Sequence, residues 1–287
     1  MNNSQRTVLT RLLTGYTLLF FVLRFFEHVT PSGLLGPPLF TTGLDLTYWA
    51  YRLLHLPQLL MMNHSGAVLF DLLVALSGVL ALLFPLRRKW IIGFSILIAL
   101  YAIGFNSAAM IHTVTVDGLF LVFLPFWFRD SERFSLAWQG IRYYACYLYF
   151  SAFIWKVFIG NAFFYWGQGA GSFKLNLVDY LYYHPDTLLS GFYRWFLRHE
   201  WALNGGHVLT ILLEGAMGIG FFTRKFDRAL FWIPVLIHII TYFFADVFIF
   251  ELLVLNFAFL NGAQLAAIGQ KFKLYLPNRS RTGGHLS

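Results

Sequence analysis

With 58% hydrophobic residues, 12% charged residues and a mean hydropathy of +0.63 over 287 positions, the chain is too apolar for a water-soluble domain or a disordered segment. The formal charge of +8 does not point to nucleic acid, because Lys and Arg fall in short clusters between apolar runs, the pattern of membrane topology signals. A single Cys146 inside an apolar run excludes an intrachain disulfide and a cysteine-based metal site, and leaves the redox compartment open.

Apolar runs of about twenty residues recur and clean ten-residue alternation does not, so the expected spans are helices rather than barrel strands. Helix 1 is expected over about 8 to 28; it carries Arg11, Arg24, Glu27 and His28 and lacks a cleavage signal, so it reads as a retained span. A loop rich in Pro and Gly follows (Pro31, Gly33, Gly36, Pro37, Pro38), then an aromatic stretch from Tyr48 to Met62 that reads as an interfacial helix. Helix 2, about 66 to 84, stops at Pro85 with Arg87, Arg88 and Lys89 behind it. Helix 3 is expected over about 90 to 106 and helix 4 over about 114 to 128, with Arg129 to Arg142 as a charged loop. Helix 5 covers about 142 to 160. A long aromatic, glycine-bearing connection then holds an interfacial helix near 189 to 198. Helices 6, 7 and 8 are expected at about 206 to 222, 228 to 244 and 247 to 268, before a basic tail. The reading is an all-α integral membrane bundle of about eight transmembrane helices with short interfacial helices. One domain spans 1–270 and a basic cytoplasmic tail spans 271–287.

A cytoplasmic N-terminus places most Lys and Arg inside: Arg6 and Arg11, the cluster at 87–89, Arg129, Arg133 and Arg142, the cluster at 224–228, and the tail. Both termini then lie in the cytoplasm of a multi-pass protein of the cell membrane. On this orientation Arg24, Glu27, His28, His112 and Lys156 fall in the outward half, where they could share one outward-facing cavity.

Ionisable groups within apolar spans cost several kcal/mol unless partnered or hydrated, so each needs a reason. Lys156, inside Tyr149-Phe150-Ser151-Ala152-Phe153-Ile154-Trp155-Lys156, has two readings. Its flexible stem can snorkel to the interface, or desolvation can keep the amine partly neutral and able to act as a base. His112, where helix 4 begins, suits a hydrogen bond to a ligand or to a loop carbonyl. Glu214, near the middle of helix 6, pairs across helices or is protonated; His238 in helix 7 is a candidate partner for it or faces a ligand. Asp246 and Glu251 flank the start of helix 8, and structural pairing is the expectation for Asp71. Arg24, Glu27 and His28, at i, i+3 and i+4, share one face and suit an internal ion pair. No tight histidine spacing supports a metal, and no phosphate loop, serine elbow or dinucleotide fingerprint occurs. The aromatic load of 20%, with 33 Phe, supplies interface belts and suits a flat apolar pocket for a quinone or lipid.

Four features in order, His112 before an apolar helix, the Tyr149 to Lys156 run with Trp166 and Gly167 or Gly169 downstream, Leu212-Leu213-Glu214-Gly215-Ala216-Met217-Gly218, and His238 followed by Phe250, carry a family resemblance. From about His112 to Phe259 the chain resembles the transmembrane module of vitamin K-dependent gamma-carboxylases and their bacterial HTTM-domain relatives. The resemblance implies that Lys156 is the base that deprotonates a reduced quinone of the vitamin K or menaquinol kind, and that His112 assists it. Tyr149, Glu214 and His238 are then the cofactor-side residues, and the implied activity is carboxylase and epoxidase chemistry on a secreted peptide or lipid-soluble substrate. Two positions depart from the family pattern: its paired lysines are Trp155-Lys156 here, and Met110 and Ile111 replace the asparagines before its histidine. The large non-cytosolic domain of the carboxylases has no counterpart after helix 8, which implies that client recognition would need a partner. A non-enzymatic transport or assembly protein, and a DoxX-like quinone-linked redox partner, are the competing readings.

Overall fold

The computed structural model describes residues 1–35, 46–60, 62–109, 117–163, 165–245 and 249–275. Every regular element among them is helical. They are α1 (Asn3–Phe26), α2 (Leu46–Leu53), α3 (Leu56–Leu60), α4 (His64–Leu83), α5 (Arg88–Ala109), α6 (Asp117–Leu121), α7 (Ser131–Ile154), α8 (Gln168–Tyr183), α9 (Leu188–Arg198), α10 (Glu200–Ala216), α11 (Asp227–Ala245) and α12 (Gly262–Tyr275). Tight 3₁₀ turns at Leu124–Trp127, Met217–Phe221 and Phe250–Phe259, and a π-turn at Trp155–Ile159, punctuate them.

The chain divides into two compact units, one of residues 1–109, 119–138 and 260–287, the other of residues 110–118 and 139–259. In the first unit, the side chain of Asn2 caps α1 by accepting from the Gln5 backbone N–H, while Gln5 reaches back to the Asn2 N–H. Helix α4 turns Ala67, Phe70, Val74, Gly78 and Ala81 inward at helical spacing. A Cβ at Gly78 would stand 2.9 Å from the ring of Phe94, so the glycine permits close approach to α5. The opposite face of α4 exposes Leu69, Leu72, Leu76 and Leu83. Water penalises such a stripe, whereas hydrocarbon does not. Asp71, buried on the inner face, accepts the backbone N–H of Ser32 at 3.1 Å, and so ties the Pro31–Gly33 turn to α4.

In the second unit, Phe173, Leu177, Tyr193 and Leu203 form an aromatic core joined by Phe196 and Phe244. Arg142 is almost wholly enclosed and donates to the Asp227 carboxylate, with Nη2 to Oδ1 at 2.6 Å, to Gly220 O at 2.7 Å and to Thr223 O at 2.8 Å. Pro234 breaks the hydrogen-bond ladder of α11, and the Asn256 amide donates to the nearby Phe231 carbonyl at 2.9 Å.

Among the described residues, four helices, α1, α4, α5 to Phe105, and α11, are long and apolar enough to cross a membrane, and the pair Phe250–Phe259 with Gly262–Lys271 makes a fifth if it is one span. Several expected elements take another form. Helix 8 is not one continuous helix: a 3₁₀ stretch, Phe250–Phe259, comes before α12. The described part of helix 4 is the short α6 and a 3₁₀ turn, because Pro125 ends regular helix there. The stretch from Arg129 to Arg142 is not a loop: α7 starts at Ser131, and Phe134, Trp138, Ile141 and Arg142 recur on one buried face. Asp130 stands at its head, where the backbone N–H of Arg133, followed by those of Glu132 and Ser131, holds its carboxyl below the usual range. The connection after helix 5 holds two helices, α8 and α9, and α10 starts at Glu200 rather than near 206. α12 continues to Tyr275, into the stretch read as tail.

Candidate functional site

Helix α7 ends in a π-turn in which Gly160 N–H bonds to Trp155 O at 3.0 Å, one residue further back than an α-helix would allow. Lys156 lies in this widened turn. Its ammonium meets Glu214 Oε1 of α10 at 2.5 Å, with the lysine side chain 35% exposed and the glutamate 6%. The second oxygen, Glu214 Oε2, is sealed from solvent and has no hydrogen-bond partner among the described residues. The buried carboxylate is therefore half satisfied, which is costly unless something else reaches it.

Two turns back on α7, about 10 Å along the axis, Tyr149 OH lies 2.7 Å from His238 Nε2 of α11. His238 is 1% exposed, and its Nδ1 has no partner among the described residues. The phenol and imidazole meet edge-on, and the ring of Phe250 lies 6.2 Å from the imidazole, tilted to it.

Sequence reasoning missed His207. It lies seven residues before Glu214 on α10, two turns along the same face. Its Nε2 is also buried without a partner among the described residues. His207 lines a cavity of about 200 Å³ with Ser172, Thr210 and Thr241 set among Phe173, Phe196 and Phe244. The backbone beside it is specified by glycine. Gly167 begins α8 at φ 118°, a left-handed conformation that resists a side chain, and a Cβ at Gly169 would come within 2.8 Å of His207 Cβ. Asn204 fixes the same corner by accepting Ala170 N–H at 3.0 Å. The i, i+7 spacing from Glu214 was the available signal for His207, but Asn204-Gly205-Gly206 before it reads as the end of a loop.

Of the residues singled out from sequence, Lys156 pairs with Glu214 and Tyr149 with His238, so the suggested Glu214–His238 partnership gives way to two separate pairs. His112 and Asp246 lie outside the described residues. Arg24 and Glu27 pair with each other at 2.9 Å. Among the described residues, no group of three or more His, Cys, Asp or Glu is arranged to hold a metal.

Comparison of the chain with protein-family profiles, with curated proteins and with solved structures finds no match.

Proposed function

We propose that the chain is a multi-pass membrane protein of the HTTM and gamma-carboxylase-like type, with about eight spans and both termini in the cytoplasm. In this reading Lys156 and Glu214 form a proton-transfer pair serving a lipid-soluble quinol. The observation that carries the reading is the Lys156–Glu214 contact at 2.5 Å with Glu214 Oε2 left unmatched. A proton passed from Nζ to Oε1 turns two charges into two neutral groups and lifts the desolvation cost of both. The amine then carries a free lone pair and can accept a proton, while the carboxyl retains the one it took.

The cavity beside His207 fits a ring system: flat aromatic walls, a few polar groups and one orphaned imidazole nitrogen. Its volume of about 200 Å³ is below that of a drug-sized pocket, so it holds a headgroup and leaves an isoprenoid tail in the lipid. A reduced quinone, when bound, supplies the acidic hydroxyl and the reducing electrons. His207 orients that headgroup, and Phe173, Phe196 and Phe244 exclude water from it. The substrate class that follows is a secreted peptide or another lipid-soluble molecule.

The test uses the full chain purified in mild detergent. Quinone is expected to co-purify with it, and Lys156→Arg, Lys156→Met and Glu214→Gln are expected to abolish quinol-dependent oxygen uptake while each remains folded by gel filtration. A second reading, a transport or assembly protein in which the pair fastens α7 to α10, is favoured by the 35% exposure of the lysine side chain. Unchanged behaviour of Lys156→Arg, with no quinone in the lipid extract, would establish that reading and remove the first.

A further inference from the structure

Three separate segments of the first unit, the start of α1, the turn into α5 and the stretch before α7, line a cavity of about 290 Å³. Each contributes an arginine: Arg6, Arg88 and Arg129. Arg6 lies over the ring of Phe134, Cζ 4.1 Å from its centre, and donates to the carbonyls of Arg129 at 3.3 Å and Asp130 at 3.2 Å. Arg88 donates through Nη2 to the Trp127 carbonyl. Both guanidinium groups are thus held in place by backbone, and both leave an Nε–H shut off from solvent with no partner among the described residues. Among the described residues, no carboxylate lines the cavity. The nearby acid, Asp130, has an oxygen engaged by Arg133 N–H at 2.8 Å. The remaining wall is apolar, with Leu86, Ile91 and Phe128 among it.

We propose that this cavity binds a phosphate-bearing anion. Arginine stays charged at every accessible pH, and its planar fork matches tetrahedral oxyanions by paired hydrogen bonds. Pre-positioned arginines that meet no carboxylate among the residues lining the cavity call for an acceptor from outside. The apolar wall beside the charge suits an anionic phospholipid, whose headgroup would meet the arginines while its glycerol and upper chain lie against Leu86 and Phe128. Free phosphate has the same oxygens without the chain. The inference concerns a different unit from Lys156 and does not depend on the quinol reading.

The experiment measures the unfolding temperature of the full chain in detergent while titrating dihexanoyl phosphatidylglycerol, dihexanoyl phosphatidylcholine, or inorganic phosphate against chloride at equal ionic strength. Phosphatidylglycerol is expected to raise the unfolding temperature saturably and phosphatidylcholine is not. A rise with inorganic phosphate alone assigns the free anion, a rise with phosphatidylglycerol alone assigns the lipid, and a rise with both assigns the shared oxyanion chemistry. Arg6→Gln and Arg88→Gln are each expected to weaken the midpoint by about tenfold, with Arg228→Gln, in the other unit, as the unaffected control. Equal response to the two lipids with none to phosphate, or no response to any, overturns the proposal from the wild-type chain alone, even if the arginine variants fail to fold.

Discussion

Tyr149 and His238 show how much depends on a single hydrogen atom in a dry interior. Removing the phenolic oxygen in Tyr149→Phe leaves His238 Nε2 buried with no acceptor or donor opposite it, at a cost of about 1–3 kcal/mol. Pairing that change with His238→Leu removes both polar partners, and the double variant is expected to be more stable than the sum of the two single losses. Thermal unfolding of the four proteins in detergent measures the coupling; strict additivity would mean that the contact contributes nothing. At this scale the sequence was partly legible. Lys156, Glu214, Tyr149 and His238 stand out because polar groups in apolar runs need reasons, but their pairing does not, since the partners are separated by 58 and 89 residues and no periodicity links them. His207 was hidden by the glycines before it. Arg142 was taken for a loop cation because a charged stretch looks the same whether its arginine meets solvent or a buried carboxylate.

Between elements, the same Arg142 fastens α7 to the turn that opens α11. Its guanidinium is 3% exposed and donates to one carboxylate and two carbonyls, so Asp227→Asn withdraws the compensating charge and leaves a cation enclosed. The expected cost is about 3–5 kcal/mol, read as a lowered midpoint of chemical unfolding, whereas Arg142→Met with Asp227→Leu is expected to lose much less because no charge is stranded. A midpoint for Asp227→Asn equal to the wild type would show that the pair is solvated after all. The legible elements were those whose ends carry chemical punctuation: α4, bounded by its Asn63 cap and Pro85, and α9, capped by Thr187, lie where the pattern puts them. The illegible ones were α10 and the 3₁₀ turns after it, where tertiary contacts at Gly218 and Gly220 decide the backbone and leave no local signature.

For the molecule as a whole, the clustering of basic segments supplies the testable statement. Arg6, Arg88 and Arg129, far apart in sequence, line one cavity, and the proposed orientation puts all three on the cytoplasmic side. The only cysteine, Cys146, is fully buried, so the native chain gives a nearly silent background for thiol labelling. With the topology of about eight spans, Lys89→Cys and Lys225→Cys are expected to react with an impermeant maleimide from the cytoplasmic face, and Asp186→Cys from the opposite face. Lys89→Cys and Lys225→Cys reacting from opposite faces would exclude that topology. Composition made the all-helical, lipid-compatible character plain from the start. Among the described residues four helices meet the length and apolarity needed for a crossing, whereas α7 carries Glu132, Arg133 and Arg142 and α10 is shorter, so neither meets it on hydropathy alone.

The π-turn after Ile154 also sets how this end of the bundle tolerates length changes. A widened turn accommodates one residue more than regular helix would, so deleting Val157 would remove that extra residue and let the segment relax into ordinary α-geometry with what lies beyond it close to its present register. Gly160, whose carbonyl receives the Gln168 side chain at 2.7 Å, would keep its direction, and the lead-in to α8 its tether. The same deletion in the regular part of α7 would instead turn the lysine-bearing end by about 100°, whereas in the exposed loop at Asp186 it would be absorbed without turning any helix.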